Sequence, residues 1–209
     1  MSDDVAVSEP AFRTLHALRI KGFAKVEVVA EIADVDVHEA REHLVLLAER
    51  QMAMFREARE LWQLTPAGRD EHAKALADDV LEVRSDGRLG PPYAQFLALN
   101  DEFKVLCGDW QLVDGKPNSH DDAAYDRAVI RRLALLNRRA LPVVHDFGGL
   151  LSRLLPYGPR LAHSSQRVAN GETNMFTGVM CGSYHDVWME LHEDLILTQG
   201  LDRCNEGSF

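Results

Sequence analysis

Three shortages narrow what this chain can be. Cysteine is the first: Cys107, Cys181 and Cys204 are the only three in 209 residues, far apart and without a CxxC pair. That spacing supplies neither a zinc knuckle nor a redox pair, and an odd count builds no disulfide framework. A reduced, cytoplasmic setting is expected. Basic charge is the second: 23 Lys and Arg stand against 33 Asp and Glu, a net charge of −10. This argues against a generic nucleic-acid binder with a basic coat, though not against a small local basic patch. Long apolar runs are the third. No stretch approaches the roughly 20 residues that a membrane span needs. The opening "MSDDVAVSEP" has no basic segment leading into an apolar one, so no secretory leader is expected either.

What is present is ordinary globular material, 46% hydrophobic, in a length that suits one domain or two. Phe12, Leu15, Leu18 and Ile20 fall at helical spacing over Ala11–Lys21, with Gly22 as a stop. Val26, Val29, Ala30, Ile32 and Ala33 predict a second, short helix, interrupted by "DVD" at Asp34–Asp36. Asp36 can cap a third helix, with Glu39 three positions on as capping-box partner. That helix carries Val37, Ala40, Leu44, Leu47 and Ala48, and runs to about Arg50. In "MAMFREARELWQL" two apolar ends flank a charged centre, which fits two strands joined by a polar tip. A continued helix fits the composition too, since Glu, Ala and Arg are good helix formers. The hairpin is preferred because Leu64 leads straight into Thr65-Pro66. Thr is a good N-cap, and Pro is tolerated at the first helical position, where its missing N–H would be unpaired anyway.

The order is helix, helix, turn, helix, hairpin, helix, a winged helix-turn-helix pattern. It resembles transcriptional regulators of the multiple-antibiotic-resistance (MarR-like) type. The resemblance rests on Glu31-Ile32-Ala33, Leu44 and Leu47, the hairpin Phe55–Trp62, and "LTPAGR" at Leu64–Arg69. It covers residues 11–77, about a third of the chain. It implies a DNA-binding head over residues 1–77, with the third helix in the major groove of duplex DNA and the wing on phosphate or the minor groove. His38, Arg41 and His43 are the candidate readers on the third helix, and Arg56 and Arg59 the candidate wing contacts. The pattern departs from the family at three places. The turn between the second and third helices and the wing tip both lack glycine, and the third helix opens with Glu39 and Glu42 around Arg41. Residues 1–77 hold ten Lys and Arg against fourteen Asp and Glu.

Residues 78–209 predict a mainly helical dimerisation or effector domain, entered through a Gly/Pro joint at Gly87–Pro92. Predicted helices carry Phe96, Leu99, Phe103, Leu106 and Trp110; then Ile130, Leu133, Ala134 and Leu136 over Ala123–Arg139, capped by Ser119 or Asp121. A new helix is expected from Pro142 to Leu155, a short one in "LAHSSQRVA", and a long one in "SYHDVWMELHEDLILTQG" stopped by Gly200. "SYHDVWMELHEDL" also resembles helical regions that accompany phosphoenolpyruvate-using phosphotransferases in actinobacteria, without any catalytic motif to carry across.

In this half His185, Trp188 and His192 share one helical stripe. With Trp110 and Tyr184 they give apolar walls with polar tips, the makeup of a small-molecule pocket. Arg160 and Arg167 are available for an anionic group. The competing account is a packed core, with the arginines paired to Glu190 and Asp194. His185 and His192 are two turns, about 10 Å, apart, too far to share one metal ion easily. The basic run Arg131, Arg132, Arg138 and Arg139 reads as a solvated helix face. No nucleophile with a base and no GxxxxGK[ST] loop is present. No enzyme activity, cofactor or metal is therefore expected. The expected function is a DNA-binding regulator acting as a homodimer, with a small-molecule effector. The alternative is a non-enzymatic protein-interaction module that accompanies a metabolic enzyme and binds no DNA.

Overall fold

The computed structural model describes residues 5–201, and Cys204 lies outside them. The chain is mainly α, 71% helix and 8% strand, with small antiparallel sheets. It divides into two compact units that are discontinuous in sequence. One comprises the chain to Arg88 with Gly148–Pro156 and the segment from Glu190. The other comprises Leu89–Phe147 and Tyr157–Met189. The joint expected at Gly87–Pro92 brackets the first crossing, whereas the 77/78 boundary read from the sequence falls inside a helix. Among the described residues no helix is long and apolar enough to cross a membrane.

The first unit opens with α1 (Pro10–Lys21), β1 (Phe23–Ala24), α2 (Val26–Ala33) and α3 (Val37–Glu49). A hairpin follows, β2 (Ala53–Arg56) and β3 (Leu61–Leu64), joined by a 3-10 turn at Glu57–Arg59. The sheet order is β1-β3-β2, all antiparallel, with Phe55 opposite Trp62 and Phe23 opposite Gln63. Leu15 and Leu18 of α1, Val29 and Ile32 of α2, Ala40 and Leu44 of α3, and Trp62 and Leu64 of β3 close one apolar core. Glycine is dispensable at the two places where the family pattern would lead one to expect it. Asp34 (φ 52°) ends α2 in the left-handed region, and Glu60 (φ 53°) does the same at the hairpin tip. Acidic Asp tolerates that conformation better than most side chains.

Thr65 joins β3 to α4 (Pro66–Asp79): its Oγ1 accepts from the Gly68 N–H at 3.1 Å and donates to the Gln51 carbonyl at 2.7 Å. Asp36 caps α3 by accepting from the His38 N–H at 2.7 Å. After α4 comes α5 (Leu81–Ser85), from which Arg84 donates to the carbonyls of Thr198 (2.5 Å) and Leu197 (2.8 Å). Those are terminal carbonyls of the last helix, which have no partner inside it.

The second unit holds α6 (Gly90–Gln111), a two-stranded hairpin of β4 (Leu112–Val113) and β5 (Lys116–Pro117), and most of α7 (Ala123–Gly148). The polar stretch "VDGKP" is thus a hairpin. Asp114 (φ 51°) and Gly115 (φ 74°) occupy its two central positions, and an Asp-Gly pair with both φ positive is a favoured two-residue turn. The cap of α7 is Asp122, which accepts from Ala124 and Tyr125, and not Ser119 or Asp121. Pro142 starts no new helix; α7 runs through it. The proline forfeits one backbone bond, yet Val143, Val144 and Phe147 beyond it are buried like Leu133, Leu136 and Ala140 before it. Continuous burial of one face holds the helix together. Then follow α8 (Tyr157–Ala169), α9 (Asn174–Thr177) and α10 (Tyr184–Gln199), whose residues from Glu190 onward belong to the first unit.

Candidate functional site

Helix α3 buries Ala40 and Leu44 and leaves the opposite face exposed: Val37, His38, Arg41, Glu42, Val45, Leu46 and Glu49. His38 Nδ1 lies 3.3 Å from the Glu42 carboxylate within this face. His43 turns inward instead, half-buried, with Nδ1 3.0 Å from the Thr14 hydroxyl. Arg41 lines a cleft of about 200 Å³ with Lys25, Phe55, Glu60 and Trp62. Arg56 and Arg59 stand exposed at the hairpin, alternating with Glu57 and Glu60. The five residues read from the sequence therefore divide: His38, Arg41, Arg56 and Arg59 are on the surface, whereas His43 faces α1.

In the second unit, Trp188 is fully buried between Phe96 (5.0 Å between ring centres) and Phe103 (4.9 Å), and its indole N–H donates to Asn100 Oδ1 at 3.0 Å. Tyr184 stacks 5.9 Å from Trp188. Its hydroxyl is buried with no hydrogen-bond partner among the described residues, and burial raises its pKa. His185 is half-buried, 6.1 Å from the Phe103 ring, and burial lowers its pKa. Trp110 joins a separate ring group with Phe176 (4.8 Å) and His120 (4.5 Å). Arg167 is tied to Glu172 by its Nε at 3.0 Å, and Arg160 lies over the Tyr157 ring at 5.7 Å. Tyr184, His185 and Trp188 are thus brought together, without the two arginines. His192 is fully buried and belongs to the first unit.

Glu190 pairs with Lys21 at 2.6 Å, and Asp194 pairs with Arg153. Arg153 is the centre of a buried network that sequence reasoning missed. Its Nε donates to Asp79 at 2.9 Å, its Nη2 to the Thr198 hydroxyl at 2.6 Å, and its Nη1 to Asp194. His16 Nε2 lies 3.0 Å from Asp194, and His16 Nδ1 lies 2.8 Å from His72 Nε2. With Nε2–H donating to the carboxylate, Nδ1 accepts from the His72 Nε2–H, an arrangement that needs no charge on either ring. Burial lowers the pKa of His16, and lowers that of His72 to about 3, where a proton would also be repelled by a protonated His16 and by Arg19. Burial alone would raise the Asp194 carboxyl. Arg153 and His16 outweigh that and hold it well below the usual range. The only trace in the sequence is a charge inside an apolar run, as in "LLSRLLPYG" and "EDLILTQ".

No protein-family model, curated protein or solved structure matches the chain.

Proposed function

We propose that the first unit is a winged helix-turn-helix and that the chain is a non-enzymatic, DNA-binding transcriptional regulator of the MarR-like kind. It works in the cytoplasm as a homodimer, with the helical remainder dimerising or sensing a small molecule. One observation carries this reading: α3 packs by one face and leaves the other exposed beside the β2–β3 hairpin. Arg41, Arg56 and Arg59 lie on that exposed surface, and among the described residues none of them has an ion-pair partner. In this reading α3 enters the major groove and Arg41 reaches base edges, while Arg56 and Arg59 hold phosphate and fix the register. The test is electrophoretic shift with genomic fragments over a range of salt. Binding should weaken steeply as salt rises, because each neutralised phosphate releases counterions. Absence of any shift at low salt would overturn it.

A second reading, a protein-interaction module that binds no DNA, is favoured by a different observation. The exposed face of α3 also carries Val45, Leu46, Glu42 and Glu49. Carboxylates repel phosphate, and two aliphatic side chains in water suit a protein surface better.

A further inference from the structure

On α7 the four arginines of "RRLALLNRR" behave in two different ways. Arg132 pairs with Asp109 at 2.6 Å, and Arg139 holds Glu102 through both terminal nitrogens at 2.6 and 2.8 Å. Arg131 and Arg138, each one position earlier, have no ion pair or hydrogen bond among the described residues, although the chain is acidic overall. Both line a cleft of about 550 Å³ between α7 and α8, inside the second unit. The size is that of a small-molecule site. Ala134, Ala162 and Ala169 give it small apolar walls. Two polar side chains that are more than nine-tenths buried, Asn137 and Ser165, also line it. The Asn137 Oδ1 has no hydrogen-bond partner among the described residues. A buried amide without a partner costs free energy unless something completes it.

We infer that this cleft binds a small organic anion with an apolar body, its acidic head held by Arg131 and Arg138. The two arginines are seven positions apart, so they stand on one helix face about 10 Å apart along the axis. Guanidinium side chains are long enough to converge on one head from above and below, and each can hold it by two N–H groups. The alanines let the apolar body lie close against both helices. Asn137 and Ser165 offer hydrogen bonds deeper in the cleft; an amide can present either its oxygen or its N–H edge by rotating about its last bond. The inference rests on α7 and α8 alone and stands whether or not α3 binds DNA.

The test is calorimetric titration of the full chain with octanoate and with 1-naphthoate, and separately with inorganic phosphate. At least one organic acid should bind at a single site, more weakly as salt rises. The double substitution Arg131→Gln, Arg138→Gln should reduce its affinity at least tenfold. Ala162→Leu, which fills the cleft without removing charge, should abolish binding. Both arginines are exposed, so the double variant should keep the wild-type melting temperature, and circular dichroism checks it. The inference is overturned if neither acid binds saturably, or if the folded double variant binds as tightly as the wild type. It is overturned equally if inorganic phosphate binds as tightly as the organic acids, since the apolar walls would then contribute nothing.

Discussion

The carbonyl oxygen of Met52 stands where a side chain on Gly68 would begin: a Cβ built on Gly68 comes within 1.9 Å of that oxygen. The same carbonyl accepts the Thr65 N–H at 3.0 Å, and Thr65 Oγ1 in turn accepts the Gly68 N–H. Strand, cap and first helical turn therefore lock onto one backbone group. This is the physical content of "LTPAGR". The threonine caps the helix, the proline fits its first turn, and the glycine lets the helix close against the chain before β2.

Two substitutions separate these roles. Thr65→Ala removes the cap and should cost about 1 kcal/mol in chemical denaturation. Gly68→Ala forces backbone apart and should cost more, upward of roughly 2 kcal/mol, as overpacking in a tight site does. Equal and negligible losses would show that the junction tolerates movement.

Arg153 is almost fully buried and satisfied by two carboxylates and a hydroxyl. Replacing it with Met strands Asp79 and Asp194 without their cation, and removing one partner of a buried pair costs about 3–5 kcal/mol. A substantial fall in the urea midpoint is expected. Changing Arg153 to Met together with Asp79→Asn and Asp194→Asn should lose less than the single change, because no buried charge is then left alone.

The same network makes the protein sensitive to mild acid. Unfolded, His72 takes up a proton near its ordinary 6.5; folded, it does so only at about 3. Between those values the unfolded chain binds more protons, so stability falls as pH drops from about 6.5 toward 3, by up to about 1.4 kcal/mol per pH unit for each such proton. His16, whose pKa is also lowered, acts in the same direction. Asp194 adds its own loss only below the ordinary carboxylate range. Denaturation midpoints at pH 7.5, 6 and 5 should decline, and His72→Gln should flatten the decline.

In the second unit the indole N–H of Trp188 has Asn100 as its acceptor, and both residues are buried. Asn100→Leu should leave that donor unsatisfied and cost about 1–3 kcal/mol. Thermal unfolding monitored by tryptophan fluorescence reads it. No change would mean that the ring stack with Phe96 and Phe103 adjusts to find another acceptor.

If the proposed DNA-binding function holds, the arginines differ in kind. Arg59→Ala should weaken binding across all sequences and flatten the salt dependence by about one phosphate contact. Arg41→Ala should change the preferred sequence. His43→Ala should affect stability and leave sequence preference alone, since its ring is engaged with Thr14. Fluorescence anisotropy with a selected and a scrambled duplex distinguishes the three.

Local chemistry in the sequence determined the mainly helical character and much of the punctuation. Asp36 and Thr65 cap where their side chains can reach the next free N–H, and the polar tip between Phe55 and Trp62 turns a chain that is apolar on both sides. The Asp-Gly dipeptide at 114–115 carries a local signal of the same kind. Tertiary structure decided what those signals cannot carry. The family resemblance implied a reader's role for His43, but packing against α1 gave its ring a hydroxyl partner 29 positions away. Pro142 reads as a helix start, and burial on both sides of it overrides that preference. His16, Asp79, Arg153 and Asp194 look like scattered surface charges. They become one buried network because the fold joins the chain near residue 16 to segments 137 and more positions away. No local pattern encodes that pairing, since its energy exists only once all the partners leave water together.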